Sequence, residues 1–395
     1  MLLIAGCASD PEPAGEVPGP PVIRVLLESD VSTVTVEADG TVNAVTDESA
    51  LPLNLRGSYT LRQSDNGWYI GPQFIAGAAR LRLTPGPDVV LALNGDRRPG
   101  ALDFVTQDPG QFDLVNVVDI ERYLVGVVSG EMFDSWQLDA LKAQAVAART
   151  YALFQMRTLD RGHWDVYGDT RDQAYAPMAD WSANDRKAVE ETGGVVLAWA
   201  PPDKPRRIFK AYYSSTAGGP SIGAVDAFGD VPVNRIDPVN TPVDYGDLDR
   251  ESSRYRWTID TTLREFDSAV ERWASDRRHP ARELGRVVNV RVDARNSLDR
   301  PTRYRLIDAD GKSATLGPEQ MRNLLGRLGK SWGNWVEPSV SGSALTFAGR
   351  GFGHGVGMSQ YAAQALAQRG ETWDQILRFC YPDVELVRAY RSADE

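Results

Sequence analysis

From Val22 to about Val105 apolar and polar positions alternate in short runs separated by turn residues. Ile23 to Leu27 opens the series, Ser32 to Val45 alternates around Asp39-Gly40 in the manner of a hairpin, and Asn66-Gly67 and Asn94-Gly95 are further turn signals. A β-branched apolar run follows: Val115, Val117, Val118 and Ile120, then Leu124, Val125, Val127 and Val128. It predicts buried strand or tightly packed turn. The period then becomes helical. Asp134 is placed to cap a helix with Gln137 three residues on, and Phe133 and Leu138 stand where a hydrophobic staple would close. A long helix ending near Arg157 is expected, with Glu131 just outside it.

Further along, a helix is expected at Asp185 to Thr192, then a strand running into the small-residue loop Tyr213 to Ser221. Between about Asp230 and Gly329, Thr262 and Glu265 can cap a helix whose apolar positions Leu263, Phe266, Val270 and Trp273 read as core. Arg286 to Val292 reads as a strand and Pro318 to Leu328 as a second helix. The strand Ala344 to Ala348 leads into a loop with glycine at 349, 351, 353, 355 and 357 around His354. Gln360 and Tyr361 open the next helix, Gly370 closes it, and Thr372 with Gln375 caps the last one.

Composition narrows the class. At 395 residues and 42% apolar the chain can build a large core. Forty-three basic against 54 acidic residues give a net charge of −11, which argues against nucleic acid and against adhesion to anionic lipid. No stretch is long enough to span a bilayer as a helix. The only cysteines are Cys7 and Cys380. Leu3-Ile4-Ala5-Gly6-Cys7 resembles a bacterial lipoprotein processing site, although the basic, apolar leader such a site needs is short here. The proline-rich residues 8–21 would form a stiff tether of roughly 40 Å near polyproline II extension. Cys380, between Phe379 and Tyr381, reads as a buried apolar residue.

The candidate chemistry centres on Glu131. Lys142 and Arg149, seven residues apart, are expected on one helix face with Ala145 between them, so one carboxylate and two cations would converge. The alternative is ordinary: an acid complementing a helix dipole and two solvated cations. His163 with Asp165, Asp169 and Asp172 fits no calcium loop or zinc spacing. Ser214 and Ser215 lack a nucleophile elbow and a neighbouring histidine. The glycine-rich loop is neither a phosphate loop nor a dinucleotide fingerprint. His354 is expected to hydrogen-bond at a cleft or to serve structure alone.

The segments Gly130-Glu131-Met132, Ala140 to Leu153 and Gly349 to Gly370 resemble the SpoIID/LytB family of lytic transglycosylases and amidase enhancers, with gaps from about Ile23 to Asp383. The resemblance implies an α+β fold with a β-rich N-terminal part, a central long helix and a glycan cleft. It implies segments 1–21 (lipoprotein-like tether), 22–112 (β-rich part), 113–229 (core with the catalytic glutamate), 230–335 (elaboration) and 336–395 (glycine-rich loop and closing helices). Glu131 would be the catalytic residue, and Lys142, Arg149, Gln173, Tyr175, Ser214, Ser215, His354 and Gln360 would bind substrate. Relatives carry His and Cys, and in some members zinc, where Tyr213 to Thr216 stand here, so no metal or cofactor is expected. Phe133 replaces the proline usual after Glu-Met.

Ordinary glycosidases need two carboxylates. A lytic transglycosylase needs one, because the carbon-6 hydroxyl of the muramyl sugar is the nucleophile. The implied function is cleavage of the N-acetylmuramic acid to N-acetylglucosamine bond of peptidoglycan with a 1,6-anhydro product. The alternatives are a wall-binding or amidase-enhancing protein of the same fold, and a muramidase using Asp165, Asp169 or Asp172 as second carboxylate. The implied partners are peptidoglycan strands and, in the enhancer reading, a cell-wall amidase. The implied location is extracytoplasmic, with the membrane reached only through lipid on Cys7.

Overall fold

Alternating strands bury one face, and here they assemble an eleven-stranded sheet. Its strands are β1 (Val22–Val31), β2 (Thr33–Val45), β3 (Ala50–Ser64), β4 (Gly67–Ile70), β5 (Gln73–Ala76), β6 (Arg80–Pro85), β7 (Leu91–Leu93), β8 (Asp96–Arg98), β9 (Ala101–Thr106), β10 (Phe112–Asp119) and β11 (Val166–Tyr167). The order is β11-β1-β10-β9-β6-β2-β3-β4-β5, with β7 pairing to β2 and β8 to β7. Val34, Val36, Val42, Leu55, Leu61, Leu81 and Leu83 face inward around the rings of Trp68, Phe104 and Phe112. Each such side chain fully withdrawn from water contributes about 1.5–3 kcal/mol.

One expected hairpin is absent. Asp39-Gly40 lies within continuous pairing of β2 and β3, from Thr33 opposite Arg62 to Val45 opposite Ala50. The chain reverses at Thr46 to Ser49, where the Thr46 N–H donates to the Ser49 carbonyl at 2.8 Å. The inward alternation of Ala38 and Val42 carries straight through the Asp-Gly pair, and burial outweighs turn propensity. Asn94-Gly95 does turn, with φ of 50° and 91°, the positive pair a tight hairpin requires.

The β-branched run is divided. β10 ends at Asp119, whose carboxylate accepts from the N–H groups of Glu121 and Arg122 and caps α1 (Ile120–Glu131). Ile120, Tyr123, Leu124, Val127 and Val128 are buried at helical spacing, so the second half of the expected strand is helix. Glu131 is therefore the last residue of α1 and not a residue outside a helix. The next helix, α2 (Leu138–Thr158), starts after an N-cap Gln137 that makes no side-chain cap. Asp134 lies in the turn before it, and Phe133, 59% exposed, forms no staple with Leu138. Alanines 140, 143, 145, 147, 148 and 152 let neighbours crowd α2 on all sides. A capping box of Ser182 and Asp185 starts α3 (Ala183–Glu191), and β12 (Val195–Trp199) pairs with Arg207–Ile208 and with Glu385–Arg388.

The computed structural model describes residues 19–200, 205–229, 241–329 and 332–391, in two units: Met1–Ile208 with Leu386–Glu395, and Phe209–Glu385. Cys7 lies outside the described residues. The fold is α+β in both. In the second unit the strands Arg256–Thr262, Ala344–Arg350 and Trp335–Ser341 form one antiparallel sheet, and Val287–Arg295, Pro301–Asp308 and Ser313–Leu316 another. The helix Leu263–Asp276, started by the expected Thr262/Glu265 box, and the helix Pro318–Leu325 complete a core around Phe266, Trp273, Leu306, Leu324 and Phe347. Cys380 is buried and reduced.

Candidate functional site

Two glycines build the surroundings of Glu131. A Cβ on Gly126 would come within 2.5 Å of the Tyr175 ring, and one on Gly130 within 2.6 Å of the Ala174 carbonyl. Spaced one helical turn apart, they open a groove on α1 in which residues 174–176 lie against the helix backbone. The Ala176 N–H donates to the Gly126 carbonyl at 3.0 Å, and the Ala174 N–H donates to Oε1 of Glu131 at 2.7 Å. The carboxyl is thus held by a backbone donor. This Gly-x-x-x-Gly spacing was the sequence signal for the approach.

The segment is held from beneath as well. Asp172 accepts from the Tyr151 hydroxyl at 2.8 Å, Gln155 Nε2 at 2.6 Å, Arg161 at 2.5 Å and the Tyr167 N–H at 2.9 Å. Gln173, fully buried, accepts from the Tyr123 hydroxyl at 3.0 Å and donates to the Ala148 carbonyl at 3.3 Å. Tyr175, buried too, donates its hydroxyl to Asn116 Oδ1 at 2.9 Å beneath the Arg98 guanidinium. Burial first, then the charges of Asp172 and Glu131 among others, push the Tyr123 phenol far above its ordinary value, so it stays a donor. The Gln-x-Tyr pair expected to line a cleft instead fixes the strip that carries Ala174.

The two cations do not converge on Glu131. Arg149 is fully buried and forms a two-pronged ion pair with Glu121 at 2.9 and 2.7 Å, its remaining N–H groups reaching the Val195 and Val189 carbonyls. The sequence placed it on a surface; the crowding of α2 encloses it, and its ligand is a carboxylate of the protein. Lys142 remains at the edge of α2, with Nζ 2.5 Å from Glu191. Glu121 was the residue sequence reasoning passed over. An acid in the first turn of a helix whose middle, Tyr123 to Val128, is apolar and buried was the signal.

The acids near His163 also have partners within the first unit. Asp165 binds Arg24, Asp169 binds Arg171, and His163 Nε2 lies 2.8 Å from Asp113.

In the second unit, Tyr213–Ser214 pairs in parallel with Met358–Ser359, bringing the serine loop to the glycine-rich loop. The buried Ser214 accepts from the Gly355 N–H at 3.1 Å. Ser215 is partly exposed, with its hydroxyl 3.4 Å from that of Thr216 and its carbonyl accepting from the Tyr361 N–H. Gln360 is buried at the start of its helix. His354 packs edge-on against the paired rings of Tyr212 and Phe228 at 5.6 and 5.3 Å, and its Nδ1 accepts from the Val356 N–H at 3.0 Å. Burial, joined by the charges of Arg322, Lys210 and Arg300, lowers this imidazole to about 3. It is a neutral hydrogen-bonding group.

Arg300 braces the same loop. It is fully buried, donates to the Ala217 and Pro220 carbonyls and to Asn334 Oδ1, and Asn334 in turn donates to the His354 carbonyl at 2.7 Å. A Cβ at Gly355 would lie 2.2 Å from this guanidinium, which explains that glycine in the alternating series.

Residues 108–199 match the family model described as SpoIID, stage II sporulation protein, and residues 241–357 match a domain of unknown function, DUF8618. The stage II sporulation protein D of Bacillus subtilis (strain 168) is 28% identical over 294 residues, 70% of this chain and 76% of that protein. An amidase enhancer of the same organism is 26% identical over 67% of this chain but only 40% of its own length. An uncharacterized protein, BHWA1_00569, of Brachyspira hyodysenteriae (strain ATCC 49526 / WA1) is 27% identical over 75% of this chain and 73% of its own.

Proposed function

For a chain that carries a SpoIID-family domain, whose named relatives include a sporulation protein and an amidase enhancer, we propose a peptidoglycan lytic transglycosylase with Glu131 as its single acid and base. The observation that carries this reading is the carboxyl of Glu131 held by the Ala174 N–H while Lys142 and Arg149 pair with Glu191 and Glu121 instead. A direct ion pair with either cation would have favoured the ionised form and opposed proton donation.

The reaction needs one proton-transferring group. Glu131 gives its proton to the oxygen leaving the muramyl C1 as that bond breaks; the muramyl C6 hydroxyl then bonds to C1 and returns its proton to Glu131. The products are a 1,6-anhydromuramyl end and a free N-acetylglucosamine 4-hydroxyl. The nucleophile belongs to the substrate, so positioning replaces activation of water. Lys142 is assigned to an anionic substrate group, the lactyl carboxylate or a stem peptide. The buried Arg149, Gln173, Tyr175 and Ser214 hold the fold, and Ser215, His354 and Gln360 are assigned to the second unit's loop. Among the described residues no helix is long and apolar enough to cross a membrane, and we assign any anchoring to lipid on Cys7.

Purified peptidoglycan and peptide-free glycan strands incubated with the protein, followed by mass spectrometry, test the reading. Anhydromuramyl ends that vanish with Glu131→Gln support it. Reducing ends from hydrolysis would mean a muramidase. The relative named an amidase enhancer favours a second reading, in which the chain binds wall glycan and stimulates an amidase. Intact glycan with binding retained, and faster amidase turnover on addition of the protein, would select it.

A further inference from the structure

Phe133 is a large apolar side chain left in water two residues from Glu131. It is not a loose one. Its carbonyl accepts from the Trp136 N–H at 3.0 Å, closing a turn, and the next carbonyl, of Asp134, accepts from Asn184 Nδ2 at 3.2 Å. On the other side the buried Met132 donates its N–H to Val128 at 3.0 Å. The turn is anchored at each end, and a phenyl ring 59% exposed at its start is held in position.

The ring has a neighbour of its own kind. Phe133 and Trp136 stand with centroids 5.4 Å apart and planes at 59°, so the half-buried indole braces the exposed phenyl ring from one side. Three half-exposed rings elsewhere lie beneath arginines: Tyr69 under Arg62 at 3.8 Å, Tyr167 under Arg171 at 3.7 Å and Trp332 under Arg254 at 4.0 Å; Phe133 is the most exposed of the large aromatic side chains among the described residues.

We propose that Phe133, with Trp136 beside it, is a sugar-stacking subsite that takes the C–H face of an N-acetylhexosamine ring next to the bond at Glu131. The inference rests on the reading of Glu131 as a glycan site. A β-1,4-linked N-acetylhexosamine carries its substituents equatorially, so each ring face presents axial C–H groups. These are slightly positive and meet the negative face of an aromatic ring. Phenylalanine contributes no hydrogen bond, so the contact selects ring shape and leaves the sugar's position along the strand to the polar groups around it. The −11 charge of the chain gives no long-range attraction for an anionic polymer, which makes short-range stacking the more valuable.

Calorimetric titration with N-acetylchitotetraose and with peptide-free glycan strands tests this in the Glu131→Gln background, where nothing is cut. Adding Phe133→Ala is expected to weaken binding roughly tenfold, and Phe133→Tyr to restore most of it. The melting temperature should not move, because the ring is already in water. Equal affinity with and without Phe133→Ala overturns the subsite, as does failure of both probes to bind the Glu131→Gln protein. In that case the exposed ring serves another surface, such as a protein partner. The outcome is separable from the acid assignment. Phe133-dependent binding with no anhydro product from the wild type keeps the subsite and rejects the acid; anhydro product formed at unchanged kcat/KM by Phe133→Ala does the reverse.

Discussion

Arg149 in the middle of α2 and Glu121 in the first turn of α1 bind each other through two parallel hydrogen bonds, and no part of Arg149 reaches solvent. Tyr390 and the Gly194 N–H donate to the same carboxylate. Removing one partner strands a charge in the interior, which costs about 3–5 kcal/mol, so Arg149→Met should unfold at markedly lower urea. Arg149→Lys should fail to rescue it, since an ammonium cannot supply the fork. The double variant Glu121→Leu, Arg149→Met should recover part of the loss. If Arg149→Met instead kept full stability and lost only affinity for glycan, the buried-pair account would fail.

The same pair sets an acid limit. Burial works to raise the Glu121 carboxyl, but the Arg149 charge and the donors around it bring it below its usual 4.5. The unfolded chain therefore binds this proton more tightly than the folded one. The contribution is complete above 4.5 and is lost as pH falls through the lowered folded value. Urea midpoints measured from pH 6 downward should decline, and Glu121→Gln should decline less steeply over that range.

Gly130→Ala separates helix propensity from packing. Alanine would favour an exposed helix by about 1 kcal/mol over glycine. Here the added methyl meets the Ala174 carbonyl, so the variant should lose ~1–3 kcal/mol and displace the donor that orients Glu131. On the proposed function, glycan cleavage should drop about 100-fold, the cost of an ångström of misplacement. Stability that rises with cleavage untouched would refute the groove.

His354 should not titrate in the neutral range. With its imidazole lowered to about 3, it stays neutral at pH 5. Below the ordinary value of 6.5 the unfolded chain gains a proton that the folded chain refuses, so this residue lowers stability as pH falls from 6.5 towards 3. Nitrogen-15 correlation spectra from pH 8 to 5 should show one of the three histidines fixed with unprotonated Nδ1. A midpoint near 6.5 for His354 would mean that this half-buried ring is more open to water than its packing against Tyr212 and Phe228 implies.

The role proposed for Lys142 is to meet an anionic group of the substrate. On that role, Lys142→Met should raise KM for strands bearing stem peptides with kcat nearly unchanged, and should lower the urea midpoint only slightly, since Lys142 is half-buried but its partner Glu191 is exposed to water. An equal fall in kcat and kcat/KM would assign the lysine to the transition state instead.

The sequence made the helix starts at Thr262 and Thr372 legible because a capping box is a local device: four consecutive residues carry it. It misplaced the start of α2 because Asp134 satisfied the same local rule while a tight turn, closed by Trp136, claimed those residues. The strand half of the β-branched run and its helical half share residue types, and only Asp119 as a cap divides them. For the proposed site, Glu131 stood out in the sequence by its motif. The burial of Arg149, Gln173 and Tyr175 did not, because it depends on which elements crowd α2, information carried by residues far away in the chain. Asp39-Gly40 failed for the same reason, with inward packing across a long ladder overriding a two-residue preference.

Leu386 to Arg391 return to the first unit: the Ala389 N–H donates to the Gly194 carbonyl, and Tyr390 completes the donors around Glu121. The second unit is in this sense an insertion between a nearly finished domain and its last strand. During synthesis the β-sheet and α1 to α3 emerge first, yet the Glu121–Arg149 pair waits for the whole of the inserted unit before its final hydrogen bond can form. Completion of the interior around Glu121 and Arg149 is thereby delayed until the inserted unit and Tyr390 after it have been made.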